Sequence, residues 1–149
     1  MITNQEQLIH FLCEAKREAY SGKENKVTGS RPSTQDYIYE KDDLKYIDTC
    51  LGDEQILGEE ALWVENQPVW GMNYTGRVVA EGFDSVFLME ALRCVKEELP
   101  YRGPRILELG EYSYRCRVEG EFEWFVGCEK ILYKGKKVYE AMFQGGLIK

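Results

Sequence analysis

Glu60 and Glu129 are the side chains of this sequence with the clearest capacity for chemistry. They sit at matched places, because Gly58-Glu59-Glu60-Ala61-Leu62-Trp63-Val64 aligns without a gap on Gly127-Cys128-Glu129-Lys130-Ile131-Leu132-Tyr133. Two carboxylates meeting in an aromatic cleft would hold a lipophilic cation through charge and ring faces. They could equally act as an acid/base pair. Against both stands a plainer reading, in which each is a surface strand residue or is hydrogen-bonded to a turn. Trp70, Tyr74 and Tyr139 supply the ring faces, and Asn73 either satisfies Glu60 or orients a ligand. Arg31 and Arg102 each stand beside a proline, where a guanidinium could clamp a carboxylate or phosphate bidentately. Each could also pair with a local acid such as Asp48, Glu108 or Glu111.

Other chemistries lack their residues. His10 is the only histidine and no Ser or Cys motif accompanies it, which disfavours a hydrolytic triad. Scattered Cys13, Cys50, Cys94, Cys116 and Cys128 give no zinc-ligand spacing and no CxxC pair, so neither a metal nor a cofactor is expected. Their odd number and wide spacing read as reduced, intracellular thiols and a cytoplasmic protein. Gly145-Gly146 is followed by no helix, so it is not a phosphate loop. A net charge of -7 argues against direct nucleic-acid binding. Lys130, Lys134, Lys136 and Lys137 cluster around a turn, which reads as a solvated strand edge. No apolar run approaches the ~20 residues of a membrane span, and the polar Thr3–Gln7 stretch is unlike a signal peptide.

Periodicity supplies the elements. Thr3 with Glu6 forms a capping-box pattern ahead of Leu8, Phe11, Leu12, Ala15 and Ala19, placing a helix near residues 4–20. Residues 21–35 read as a mobile loop. Strands follow at 37–39, 44–51, 59–64 and 69–75. Asp84 or Ser85 caps a second helix that ends before Pro100. Tyr101-Arg102-Gly103-Pro104 is a rigid connector, and strands recur at 112–118, 122–126, 129–133 and 138–143. Phe11–Ala15 also matches Phe87–Ala91, so each half reads as a helix and about four antiparallel strands.

The expected class is therefore α+β: one domain over residues 1–149, with repeat halves near 1–76 and 77–149, and two helices on one curved antiparallel sheet with pseudo-twofold symmetry. Two-residue turns at Asn66-Gln67 and Gly135-Lys136 would set Glu60 opposite Asn73, Trp63 opposite Trp70, and Glu129 opposite Met142. That register puts both glutamates on a mixed face away from the helices, as exposed surface, a homodimer contact or a pocket lining. The favoured function is non-catalytic binding or sensing of a cationic or aromatic small molecule in the cleft between the halves. An acid/base enzyme and a protein-interaction module are the alternatives.

Several stretches carry a family resemblance: Ser30-Arg31-Pro32, Gly58 with Glu60, Trp70 to Arg77, Pro100 to Pro104, Phe125 to Glu129, and Val138-Tyr139-Glu140 with Gly145-Gly146. Through them the chain resembles the bacterial domain of unknown function 5680. Such domains often follow a helix-turn-helix domain of the XRE regulator type, so the resemblance implies a module linked to transcriptional regulation. Here the first helix is expected at residue 4 with no DNA-reading domain ahead of it, which suggests a stand-alone copy.

Overall fold

The computed structural model describes residues 3–21 and 26–149, so part of the expected 21–35 loop lies outside the described residues. Helix α1 spans Gln5–Ala19 and α2 spans Ser85–Arg93. The strands are β1 Lys26–Thr28, β2 Gln35–Lys41, β3 Leu44–Leu51, β4 Gln55–Val64 and β5 Gln67–Val78. After α2 come β6 Ile106–Leu109, β7 Tyr112–Glu121, β8 Trp124–Tyr133 and β9 Lys136–Leu147. All nine belong to one sheet, in the order β1-β2-β3-β4-β5-β9-β8-β7-β6, with every pairing antiparallel.

This corrects the expected class. The chain is mainly β, and the two helices of 15 and nine residues are minor elements on a nine-stranded sheet. Nor do its parts stand as two equal helix-and-strand units: five strands precede α2 and four follow it. The helical signal overreached because the apolar stripe beyond Leu92 continues only as Val95. Cys94 closes α2 well before Pro100, and its amide bonds back to Ala91 and Leu92.

Local chemistry explains the elements. In α1 the capping box is made by Asn4 and Gln7, one residue later than expected, and each side chain takes the other's backbone amide at 2.9 Å. Asp84 caps α2 by accepting from the Val86 amide at 2.9 Å. The hairpin turns are also one residue off the expected positions. Glu65 and Asn66 turn β4 into β5 with φ of 48° and 65°, and Lys134-Gly135 turn β8 into β9 with φ of 51° and 79°. A two-residue hairpin turn of this hand needs positive φ at both positions, which Asn and Gly meet at least cost.

That shift moves each glutamate to the other face. Glu60 pairs with Met72 and Glu59 with Asn73; Glu129 pairs with Ala141 and Cys128 with Met142. Since side chains alternate along a strand, a one-residue change of register exchanges faces. A bulge follows in each hairpin, at Leu62/Trp63 and at Ile131/Leu132, so Trp63 meets Pro68 rather than Trp70. Both glutamates thus join the covered face, with Leu62, Trp70, Met72, Tyr74, Ile131, Tyr139 and Phe143. Helix α1, helix α2 and the 94–105 connector cover that face, and the opposite face is open.

Candidate functional site

Five of the eight predicted site residues come together under the helices: Glu60, Tyr74, Arg102, Glu129 and Tyr139. Arg102, on the connector after α2, is sandwiched in the core. Its guanidinium takes Glu129 through Nε to Oε1 and through Nη2 to Oε2, the latter at 3.2 Å. Its Nη1 lies 3.8 Å from Glu60 Oε2, an ion-pair distance but not a hydrogen bond. The cation also stands over the Tyr74 ring, 4.7 Å from its centre. Burial alone would lower the Arg102 pKa, but the adjacent Glu129 carboxylate holds it well above its usual value.

Around this pair stand further polar side chains, of which Lys16, Tyr20, Tyr46 and Tyr114 were not singled out from the sequence. Lys16 of α1 donates to Glu60 Oε1, and Tyr46 donates to the same oxygen at 2.6 Å. Tyr114 and Tyr139 donate to the two oxygens of Glu129 at 3.4 and 3.3 Å. Asp48 accepts from Tyr74 at 2.8 Å and from Tyr20 at 3.4 Å. Tyr74 reaches Asp48 because it lies flat over Gly58, where an added Cβ would stand 2.0 Å from its ring. Lys16 occupies the apolar stripe of α1, eight residues after Leu8 and one turn before Ala19. A lysine on such a stripe is the signal that could have found it, because an unpaired buried ammonium is very costly.

The network is sealed. Glu60 is 0% exposed, and Lys16, Asp48, Arg102 and Glu129 are buried with it. Three carboxylates face two cations. Asp48 is the carboxylate that no cation contacts, and burial pushes its pKa up to about 7, with the Glu60 charge adding to the rise. Burial likewise raises the thiols of Cys13 to about 11 and Cys116 to about 12, which leaves them unreactive at neutral pH. Charges this deep are closed to a solute. Lys16 ties α1 and Arg102 ties the connector to the sheet, and each cation offsets part of the penalty of burying its carboxylate.

The remaining predicted residues lie elsewhere. Trp70 is core, stacked on Phe122 and Phe125, with its indole donating to the Phe122 carbonyl at 3.1 Å. Arg31 is exposed in the connection between β1 and β2, outside the buried set. Asn73 projects from the open face. Glu60 and Asn73 therefore stand on opposite faces, which corrects both their expected pairing and the single cleft they were to share. Among the described residues no group of three or more His, Cys, Asp or Glu side chains is placed to hold a metal ion.

Several concavities open to solvent, among them two wider ones. One, of about 870 Å³, runs between α1 and the β2–β3 turn, with Ile9, Phe11 and Leu44 below acidic side chains. Two of its contacts are closed within the fold, His10 with Glu97 and Glu14 with Lys41, while Glu6, Asp42 and Asp43 give its rim a negative charge. The other, of about 440 Å³, lies on the open face. Register dictates its shape. Across β4, β5 and β9 the row Ala61, Gly71, Gly146 is nearly bare of side chains and ends at Trp124 of β8. The next row is Glu59, Asn73, Gln144 and Val126, a carboxylate and two amides beside an apolar end. Trp124 is 83% exposed, and Ile148 closes the far end over Gly71. Glu59, Asn73 and Gln144 make no side-chain hydrogen bond among the described residues. Trp124 and Gln144 went unseen in the sequence because β8 was read as two strands, 122–126 and 129–133, and the last strand was ended at Phe143.

No helix of the described chain is long and apolar enough to cross a membrane. No curated protein and no solved structure matches the chain. The model of one family, a domain of unknown function (DUF5680), matches residues 48–148, a stretch holding both buried glutamates and the whole open-face groove. The chain therefore belongs to the DUF5680 family.

Proposed function

We propose that the protein is a non-catalytic small-molecule-binding module whose site is the groove on the open face of the sheet. One contrast carries the reading. The ionisable groups suited to acid/base work are sealed and paired, whereas the polar side chains of the groove are unpartnered beside an exposed indole. A groove of about 440 Å³ is of ligand size, and a few convergent polar groups on an apolar wall are what fix a small molecule's orientation. Acid/base catalysis by Glu60 or Glu129 would need both to leave their cations and reach solvent, so it is not favoured. Sensing on behalf of a regulator is compatible with this reading, through the resemblance to modules that accompany XRE-type proteins.

The test is a fragment screen read by thermal shift and by crystal soaking. Fragments are expected to seat between Trp124 and Asn73, and their shifts are expected to vanish in Trp124→Ala. Hits that survive Trp124→Ala and Asn73→Ala together would sink the reading.

A second reading, self-association, is favoured by one observation. Leu57, Met142 and Val126 stand exposed on the same face as Trp124. Sedimentation over a concentration series separates the two, because only self-association predicts a dimer that Trp124→Ala dissolves.

A further inference from the structure

The groove has a definite chemical character, and its occupant follows from it. Resting on the binding site proposed above, we infer that the groove takes a neutral carbohydrate ring, stacked on Trp124 with its hydroxyls against Glu59, Asn73 and Gln144.

The argument starts with charge. Among the residues lining the groove Glu59 is the one charged side chain. No cation lines the groove to neutralise a phosphate or carboxylate, and the Glu59 charge would repel nucleotides and acidic metabolites. A single, exposed carboxylate also gives little hold on a cation. The ligand that fits is uncharged.

Hydrogen-bonding capacity comes next. Asn73 and Gln144 are direct partners across β5 and β9, and Glu59 is the direct partner of Asn73 across β4 and β5. Three polar groups therefore stand in a row perpendicular to the strands, about 4.8 Å apart. Each amide offers two donors and an acceptor oxygen, and the carboxylate only accepts. A partner must present several groups along one edge, each able both to donate and to accept. Ring hydroxyls do this.

The aromatic wall supplies the third element. An indole carries a negative face, which attracts the weakly positive C–H bonds on one face of a pyranose. Trp124 can offer that face because nothing in the fold covers it. Its neighbour across β9 is Gly146, and the row continues through Gly71 to Ala61, so beside the indole a ring meets backbone before it reaches the Ile148 side chain over Gly71. Adjacent Val126 and Met142 extend the apolar edge beyond the trough. A further ring unit can rest there, so an oligosaccharide is expected to bind better than its monosaccharide.

The experiment titrates the full chain with a panel of neutral hexasaccharides: maltohexaose, cellohexaose, xylohexaose, mannohexaose and N-acetylchitohexaose. Calorimetry and tryptophan fluorescence are read together. At least one is expected to bind saturably, with binding abolished by Trp124→Ala and weakened about tenfold by Asn73→Ala or Gln144→Ala, the size of one lost hydrogen bond. The Phe11→Leu variant, altered in the other groove, is expected to bind as the native chain does.

If no sugar binds while fragments still seat at Trp124, the carbohydrate inference falls and the binding site stands. If neither binds, both fall. A concentration-dependent dimer that Trp124→Ala dissolves would overturn the inference by giving the face to a second copy. Sugar binding that Trp124→Ala leaves intact would overturn it equally.

Discussion

The two faces of the sheet use polar side chains in opposite ways. Under the helices Lys16, Asp48, Glu60, Arg102 and Glu129 are buried and held by one another or by tyrosine hydroxyls. On the open face Glu59, the strand neighbour of Glu60, stands in a row with Asn73 and Gln144 of β5 and β9, and none of the three has a partner among the described residues. The lesson is that chemically promising residue types can be used up by the fold. A guanidinium between two carboxylates is a recognition device only where a solute can replace one of its partners. The open face, with weaker side chains, keeps its capacity because nothing inside the molecule satisfies it.

The largest expected effect breaks the buried side. Arg102→Met leaves Glu129 and Glu60 without their shared cation and should cost about 3–5 kcal/mol, measured by urea unfolding. A loss under 1 kcal/mol would mean that water enters the network and that the two faces differ less than their exposures imply. Next is Gly58→Ala, whose Cβ would stand 2.0 Å from the Tyr74 ring. Overpacking of this kind costs about 1–3 kcal/mol and should displace the Tyr74 hydroxyl from Asp48, seen as a changed tyrosine near-UV signal.

Asp48 sharpens the contrast through pH. Its folded pKa of about 7 lies above the ordinary 3.8, so the folded chain keeps a proton that the unfolded chain releases. The favourable contribution of that proton is present below about pH 4 and is lost as pH rises to about 7. Asp48→Asn should therefore raise the melting temperature more at pH 8 than at pH 4. An equal gain at both would remove the raised titration. The smallest effect belongs to the open face. Trp124→Ala should change stability by no more than about 0.5 kcal/mol while abolishing groove binding. A large loss of stability there would make the indole a packing residue.

Much of this was legible beforehand. Strands 44–51 and 59–64, both hairpins, the cap at Asp84 and the family itself came from local patterns and motifs. Glu60 and Glu129 were singled out by their matched places and Arg102 by its neighbouring prolines, as residues to hold a ligand, whereas the fold buries them against one another. Their face was not legible. Nothing local decides between Glu65-Asn66 and Asn66-Gln67 as the turn pair, and one residue moves Glu60 from open surface to deep core. Class was misjudged for a related reason. Short strands such as β1 and β6 exist through their neighbours' hydrogen bonds and leave little periodicity of their own. The groove was invisible because it is made of residues brought together by pairing across four strands.

Gly58 lies opposite Tyr74, and Gly127 opposite Phe143, so each hairpin seats a ring from the neighbouring strand on bare backbone. A slip of one residue in either hairpin would drive that ring into a side chain, Glu59 or Leu57 in the first case and Cys128 or Val126 in the second. The two glycines thus act as keyholes that accept a single alignment. They make misthreading sterically expensive while the chain is still assembling, before any of the deep charges has found its counterpart.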